Sequence, residues 1–127
     1  MTETWKPIDG TDGLYEVSNT GKVRSLNYGN SGITQELRLT TERVTGYVKV
    51  RIKYIGNVQR LCLVHRLVAN AFIPNPDGLP CINHKDEDKT NNNVSNLEWC
   101  THKYNINYGT AVQRANETKA RKKLKNF

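Results

Sequence analysis

Hydrophobic and polar residues alternate one by one along a stretch near the middle of the chain. The apolar positions are Val48, Val50 and Ile52, and the basic positions between them are Lys49, Arg51 and Lys53. A Gly56-Asn57 turn leads from this stretch into a second run at 58–63. Because successive side chains of a strand point to opposite faces, the pattern predicts a two-stranded β-ribbon with one apolar and one basic face.

The residues after the ribbon change to helical spacing. Apolar side chains recur at intervals of three and four, at Val64, Leu67, Val68, Ala71 and Phe72. This spacing predicts an amphipathic helix, which Pro74 and Pro76 end. His65, Arg66 and Asn70 lie off the apolar stripe, so they are expected on the polar face of the helix.

Shorter patterns precede the ribbon. Two runs at 15–18 and 22–26 flank Asn19-Thr20-Gly21, and this arrangement predicts a small β-hairpin. The segment 28–45 is rich in Gly, Ser and Thr with weak periodicity, and we interpret it as loop and edge strand.

Another set of short patterns follows the helix. A strand is expected at 81–84, a polar loop at 85–93 and a second strand at 97–100. Thr101 can cap a last short helix, which Gly109 ends. The prediction is an α+β protein of small antiparallel hairpins and helices, divided into a β module at 1–46, a unit of ribbon and helices at 47–112 and a basic tail at 113–127.

Charge is distributed unevenly among these segments. The chain has a formal net charge of +7 and a pI near 9.5. Residues 47–66 carry five basic side chains and no acidic one, and residues 114–127 carry six against Glu117, whereas 67–98 is net acidic. Basic surfaces around an acidic centre suit a protein that binds polyanions and attracts a cation. A solvated mosaic of charges is the alternative interpretation.

Length and residue usage exclude several classes of protein. A chain of 127 residues with 36% hydrophobic content allows one small core or two small lobes, and no large enzyme scaffold. No apolar run has the length of a membrane span, and the N-terminal residues lack a secretory pattern. Cys62, Cys81 and Cys100 are odd in number and scattered, which argues against a disulfide framework. We therefore expect a soluble, intracellular protein with no membrane partner.

Histidine and asparagine side chains recur in the short patterns between 81 and 105. Asn83 and His84 end the first predicted strand, Asn96 precedes the second, and Asn105 lies on the last helix. Hydrolysis of a phosphodiester needs a base that titrates near neutral pH, which histidine supplies, and a cation that neutralises the developing charge. Amide oxygens are suitable ligands for such hard cations.

This order of strand, loop, strand and helix resembles the ββα-metal motif of HNH endonucleases. Three further phrases are similar to intron-encoded and phage-encoded HNH homing endonucleases: Val64-His65-Arg66-Leu67-Val68-Ala69, Ala71-Phe72-Ile73-Pro74-Asn75 and Asn96-Leu97-Glu98-Trp99. Three others are similar to the small modular domain often found ahead of those nucleases: Trp5-Lys6-Pro7-Ile8, Tyr15-Glu16-Val17-Ser18-Asn19 and Val23-Arg24-Ser25. Together they cover about residues 3–109.

The resemblance implies a role for each residue of the motif. His84 would be the general base, Asn96 would brace the loop beside it, and Asn83 and Asn105 would bind a divalent metal ion, Mg²⁺ or Mn²⁺. The implied reaction is the hydrolysis of double-stranded DNA to 5′-phosphate and 3′-hydroxyl ends. The implied setting is the cytoplasm of a bacterial host, with the gene on a phage or mobile element. Many relatives have Asp or His at position 83, so we expect DNA phosphates to complete the metal coordination.

DNA binding is expected on the basic residues around this motif. The residues assigned to it are Lys49, Arg51 and Lys53 of the ribbon, His65 and Arg66 of the helix, and Arg24 of the N-terminal module. A solvated strand face and an ordinary polar helix face are the alternatives for the ribbon and helix residues. The tail from Arg114 either binds DNA phosphates or takes no part in DNA binding.

Two other functions stay open at this point. One is a DNA-binding protein that keeps the HNH scaffold and does not cut. The other is an interaction module braced by zinc, with Cys81, His84, Cys100 and His102 as ligands. A calcium loop beginning at Asp86 is excluded, because Asn91 replaces the required glycine and Leu97 occupies the last ligand position.

Overall fold

Three small antiparallel sheets, two α-helices and a 3-10 turn at Val94–Asn96 make up the part of the chain that the computed structural model describes, residues 2–108. This arrangement confirms the predicted α+β class. No helix within these residues is long and apolar enough to cross a membrane. The strands are β1 (Trp5–Pro7), β2 (Tyr15–Ser18), β3 (Val23–Tyr28), β4 (Ile33–Glu36), β5 (Thr40–Thr41), β6 (Val48–Tyr54), β7 (Val58–Leu63), β8 (Cys81–His84) and β9 (Leu97–Cys100), and the helices are α1 (Val64–Phe72) and α2 (His102–Asn107).

The N-terminal sheet has the strand order β1-β2-β3-β4. Its centre is the predicted hairpin, in which Val17 of β2 lies opposite Val23 of β3. The interpretation of 28–45 as loop and edge strand is confirmed, because β4 pairs with β3 at the edge of this sheet and β5 pairs with β6 at the edge of the next one. All side chains of β4 and β5 are exposed, so these strands are held by backbone pairing and leave no hydrophobic pattern in the sequence.

The second sheet contains the predicted ribbon, with the order β5-β6-β7. The three apolar side chains of β6 are buried, whereas Arg51 and Lys53 are exposed and Lys49 is half-buried. The two-faced character is therefore confirmed for β6, whereas β7 places Leu61 opposite Arg51 and Arg60 opposite Ile52. β7 continues directly into α1, which ends two residues before Pro74 as predicted.

A shared hydrophobic core joins the N-terminal sheet, the ribbon, α1 and the β8–β9 hairpin. Its buried members include Val17, Val23, Val50, Ile52, Val64, Val68, Ile82 and Leu97. Each such side chain contributes roughly 1.5–3 kcal/mol when it is fully removed from water. Because the core spans residues from both sides of position 46, it fixes the N-terminal sheet relative to the predicted ββα motif.

The ββα motif is formed by β8, β9 and α2, as the sequence predicts. In the antiparallel register Asn83 lies opposite Glu98 and His84 lies opposite Leu97. The Thr101 hydroxyl accepts a hydrogen bond from the Tyr104 amide at 3.1 Å and caps α2, which confirms the predicted cap. Gly109 and the tail from 113 lie outside the described residues.

Candidate active site

Strand β8 ends on two polar residues that point to opposite faces of the hairpin. Asn83 is 5% exposed and His84 is 6% exposed. Ile82 and Leu97 place the face that bears His84 toward the core, whereas the face that bears Asn83 lies toward α2. Two adjacent residues thus enter two different environments.

Within residues 2–108 the His84 side chain makes one hydrogen bond, to the loop that follows it. Its Nε2 lies 2.8 Å from the amide oxygen of Asn92, which is itself buried. Since an amide oxygen only accepts hydrogen bonds, Nε2 carries the proton and Nδ1 carries the free lone pair. Within residues 2–108 this Nδ1 makes no hydrogen bond, and it is not fully buried.

Behind His84 lies a stack of two further rings. The Tyr47 ring stacks on His65 with a centroid separation of 4.8 Å, and the His65 ring lies 5.1 Å from that of His84. His65 is 5% exposed, and its Nδ1 is fully buried without a partner in the described residues. The expectation that His65 lies on the polar face of α1 is therefore wrong, because its ring fills the space between Tyr47 and His84.

Burial sets the protonation of His65. Loss of solvent lowers the pKa of this imidazole from 6.5 to about 4, and the nearby charges of His84 and Arg66 lower it further in the same direction. His65 is therefore neutral at pH 7. On the outer side of the stack, Lys89 Nζ lies 4.7 Å from the Tyr47 ring centroid and donates to the Thr45 carbonyl at 2.8 Å.

The polar loop between β8 and β9 is braced by Asn96. Its amide oxygen accepts from the Asp86 backbone N–H at 3.0 Å, and its amide nitrogen donates to the Asp86 carboxylate at 2.8 Å and to the Asn91 carbonyl at 2.9 Å. Hydrogen bonds from Asn91, the Asp88 backbone and Asn96 lower the pKa of Asp86. Asn96 thus uses its whole amide group on the loop, and a catalytic role for it stays a prediction.

Asn83 is oriented by a carboxylate on the neighbouring strand. Its Nδ2 donates to Glu98 Oε1 at 2.9 Å, and the hydroxyl of Tyr104 on α2 donates to the same oxygen at 3.1 Å. The bond to Glu98 raises the pKa of Tyr104. With its nitrogen turned to Glu98, Asn83 presents Oδ1, which accepts no hydrogen bond from residues 2–108 and is not sealed from solvent.

Comparisons with known proteins match this arrangement. The chain fits the family model of the NUMOD4 motif over residues 3–53 and that of the HNH endonuclease over residues 62–106. It is 36% identical over 124 residues to the DNA endonuclease I-HmuI of Bacillus phage SP01, covering 96% of this chain and 67% of that protein. The chain belongs to the HNH endonuclease family. The NUMOD4 match identifies the N-terminal module.

Two further comparisons describe the extent of the likeness. A solved structure of DNA binding and cleavage by the HNH homing endonuclease I-HmuI superposes with a TM-score of 0.73 at 34% identity, over 97% of this chain and 68% of that one. An uncharacterised HNH endonuclease of Acanthamoeba polyphaga mimivirus, L245, is 41% identical over 108 residues. The chain spans 30% of the length of L245 and 67% of that of I-HmuI.

In this HNH protein the predicted second amide, Asn105, is less fixed than the first. It is half-buried on α2, and its side chain makes no hydrogen bond within residues 2–108. The helix itself is tied back to the motif, because the Tyr108 hydroxyl donates to the Lys85 carbonyl at 2.6 Å. Whether Asn105 binds metal stays a prediction.

The basic residues predicted to bind DNA differ in whether they form ion pairs within the protein. Ion pairs in the described part of the chain join Lys22 to Glu3 and Arg24 to Glu16. The Arg24 guanidinium is bound to Glu16 Oε1 at 2.6 Å and lies 4.1 Å from the Trp5 ring centroid, so its charge is largely engaged within the module. The other predicted cations, Lys49, Arg51, Lys53 and Arg66, form no ion pair within residues 2–108.

A zinc site is not formed by the four residues proposed for it. Cys81 Sγ lies 3.0 Å from His102 Nδ1, but His84 points to the opposite face of β8. Among residues 2–108 no group of three or more His, Cys, Asp and Glu side chains is arranged to hold a metal ion. The interaction module braced by zinc therefore has no support in the fold.

Four residues of the site were missed by reasoning from the sequence. They are Tyr47, Asn92 and Glu98, which contact predicted residues, and Tyr104, which donates to Glu98. Glu98 belongs to the Asn96-Leu97-Glu98-Trp99 phrase and lies opposite Asn83 in the strand pair, so the predicted register could have revealed it. Asn92 lies in a run of asparagines that carries no such signal.

Proposed function

We propose that this protein is a metal-dependent endonuclease that hydrolyses phosphodiester bonds of double-stranded DNA and leaves 5′-phosphate and 3′-hydroxyl ends. The observation that carries the proposal is His84, a buried imidazole whose Nε2 is held by Asn92 and whose Nδ1 makes no hydrogen bond within residues 2–108. Membership of the HNH endonuclease family and the likeness to I-HmuI, a DNA endonuclease, support it. Those relatives come from viruses and a phage, which supports action in the cytoplasm of a host cell.

His84 acts as the general base. The Asn92 oxygen keeps the proton on Nε2, so Nδ1 is the nitrogen that takes a proton from the attacking water. When the imidazole becomes protonated, Asn92 still accepts from Nε2 and the neutral His65 adds no opposing charge. The stack of Tyr47 and His65 limits rotation of the His84 ring, which keeps the base in one orientation.

The Asn83 side is where a divalent cation would be held. Asn83 Oδ1 and the carboxylate of Glu98 are hard oxygen donors, and Asn105 lies on the helix that covers this face. This donor set fits Mg²⁺ or Mn²⁺, with substrate phosphate oxygens needed to complete the shell. When bound, such an ion neutralises charge on the phosphate and the leaving oxygen. Asn96 keeps the intervening loop in place between the two sides.

Duplex DNA would lie along the basic face of the ribbon. Arg51 and Lys53 line a shallow groove together with Tyr15 and Tyr28 of the N-terminal sheet. Free cations and aromatic side chains along one groove suit a phosphate backbone. Lys49 extends this face toward the active site, and Arg66 of α1 is exposed. Arg24 and His65, which are engaged or buried, contribute indirectly by shaping the module and the stack.

Cleavage of supercoiled plasmid tests the proposal. Protein purified in chelator and then supplied with Mg²⁺ or Mn²⁺ should convert plasmid into nicked or linear product, and excess chelator should stop the reaction. End-labelling of the product before and after phosphatase treatment should show 5′-phosphates. DNA binding without cleavage at any metal concentration would instead support the non-cutting HNH scaffold.

A further inference from the structure

The loop that holds His84 rests against the turn of the N-terminal hairpin. This turn, residues 18–21, joins β2 to β3. The Val94 backbone N–H donates to the Asn19 carbonyl at 2.8 Å. A Cβ atom added to Gly21 would lie 3.0 Å from Asn92 Cβ and 3.1 Å from the Asn92 carbonyl oxygen. The turn and the residue that bonds His84 are therefore in direct contact.

The turn is itself firmly held. The Asn19 side chain accepts from the Thr4 amide at 2.9 Å and donates to the Thr2 carbonyl at 3.1 Å, which ties it to the segment before β1. Ser18 Oγ accepts from the Lys22 amide at 3.0 Å. Gly21 has a φ of +94°, a conformation that glycine adopts without strain. A rigid turn packed against a loop restricts where that loop can lie.

We propose that the 18–21 turn of the NUMOD4 segment is a positioning element of the active site. It fixes Asn92, and through Asn92 it fixes the orientation and tautomer of His84. The NUMOD4 segment thus has a second task besides any contact with DNA, because it sets the rate of the chemical step. This inference rests on the proposed role of His84 as the base.

Gly21→Ala tests the contact, and Gly13→Ala is its matched control. Both glycines have positive φ, +94° and +74°, so alanine is strained at both, but nothing lies within 4 Å of a Cβ at Gly13. Gly21→Ala should lower the cleavage rate at saturating DNA by about 10- to 100-fold, by analogy with groups that orient metal-binding side chains. Metal-free DNA affinity should not change, and Gly13→Ala should cut at the wild-type rate.

A second readout does not depend on cleavage. Long-range ¹H–¹⁵N spectra of the imidazoles should show one tautomer for His84 in the wild type and in Gly13→Ala, and a shifted or mixed state in Gly21→Ala. In an Asn92→Ala background, Gly21→Ala should cause little further loss of rate, because both act through the same group. Asn19→Ala, which loosens the turn without adding a Cβ, should shift the His84 signals in the same way, whereas Asn75→Ala, at a distant turn, should not.

The proposal is overturned if Gly21→Ala cuts like Gly13→Ala and keeps the wild-type His84 spectrum. It is also overturned if Gly21→Ala and Asn92→Ala reduce the rate additively. If Gly21→Ala does not fold, the Asn19→Ala and Asn75→Ala spectra decide the question. Failure of the proposed function gives a different result, since His84→Ala would then cut normally while Gly21→Ala still shifts the His84 signals.

Discussion

Asn83 and His84 are adjacent in the chain, yet the two faces of β8 support them in different ways. His84 faces a buried region of neutral groups, with Asn92 on one nitrogen and the rings of His65 and Tyr47 behind it. Asn83 faces the charged Glu98 and the helix α2, of which no residue is buried. One side is packed with rings and a neutral amide, and the other carries a carboxylate and a helix of which no residue is buried.

The difference matches the roles proposed for the two sides. A general base benefits from a fixed orientation before the substrate arrives, because the geometry of proton transfer sets the rate. A cation site that uses substrate phosphates as ligands has to stay open until the substrate binds. The helix α2, of which no residue is buried, and the Asn83 Oδ1, which accepts no hydrogen bond from residues 2–108, leave that side available to a ligand. We therefore expect changes on the His84 face to affect rate and changes on the Asn83 face to affect metal affinity.

The largest effect is expected from removal of the base. His84→Ala should lower the cleavage rate by about 10²- to 10⁴-fold. Metal-free DNA affinity should stay near the wild-type value, because one neutral imidazole adds little to phosphate binding. His102→Ala, which removes an exposed histidine from the other face of the hairpin, is the matched control and should cut normally. Wild-type rates in His84→Ala would remove this residue from the mechanism.

Burial on the His84 face should also make the free energy of unfolding depend on pH. The folded protein holds the pKa of His65 at about 4 against its usual 6.5, so the unfolded chain takes up a proton first as the pH falls. As the pH falls from 7 to 4, His65 should therefore lower the free energy of unfolding by up to about 3 kcal/mol. The rings of Tyr47 and His84 pack around it, and the charges of His84 and Arg66 add to the penalty for a charge on His65.

Urea unfolding of the wild type and of His65→Leu over that range measures the effect. The variant should lose less stability on acidification than the wild type, although it is less stable at pH 7 if leucine fills the space poorly. His102→Leu should follow the pH slope of the wild type. Equal slopes for the wild type and His65→Leu would show that the His65 ring is not sealed from water.

These two faces show what the sequence could and could not predict. The ribbon, α1, β8 and β9 follow from apolar periodicity because their side chains build the core. Strands β4 and β5 have only exposed side chains, so their pairing is absent from the pattern. Asn83, His84 and Asn96 were found by the order and spacing of a known motif, and their chemical roles remain predictions.

The contacts around those residues could not be predicted because they are made between distant segments. His65 lies off the helical stripe and is buried because Tyr47, from before the ribbon, covers it. Asn92 is held by a turn more than seventy residues earlier in the chain. Helical and strand periodicity describe only neighbours in sequence, so they do not reveal such pairs.

Substitutions on a third surface, away from both faces of β8, should change DNA affinity and leave the cleavage rate unchanged. Lys49, Arg51 and Lys53 lie on the outer face of β6, where they form no ion pair within residues 2–108. Replacement of all three by Gln should flatten the slope of log affinity against log salt by up to about 2.7, since each phosphate contact contributes roughly 0.9. Arg24→Gln should change the slope less, because Glu16 already binds that guanidinium.

Fluorescence anisotropy of labelled duplex DNA from low to moderate salt gives these slopes. The rate of cleavage at saturating DNA should be the same in the triple variant and the wild type, which separates the ribbon from the faces of β8. An unchanged slope in the triple variant would show that the basic face is only solvated surface. A larger slope change in Arg24→Gln than in the triple variant would indicate that the DNA contacts the N-terminal sheet and not the ribbon.

The smallest effect is expected on metal affinity at position 83. From the sequence alone, a carboxylate at this position should bind a cation more tightly than an amide. The structure changes that expectation, because Asn83 Nδ2 donates to Glu98 Oε1 at 2.9 Å and Asn83→Asp would place two carboxylates at this distance. Their repulsion opposes the gain in the single variant. In Asn83→Asp combined with Glu98→Gln, the new amide can donate to the aspartate and still accept from Tyr104.

The double variant should therefore need about tenfold less metal for half-maximal cleavage than the wild type, in line with the effect of groups that orient metal ligands. Glu98→Gln alone should need more metal, because it removes the negative charge and leaves Asn83 neutral. Calorimetric titration with Mn²⁺ in the presence of uncleavable DNA gives the same order without relying on activity. If Asn83→Asp alone matched the double variant, Glu98 would not orient position 83 in solution, and the polar face of β8 would be looser than its hydrogen bonds indicate.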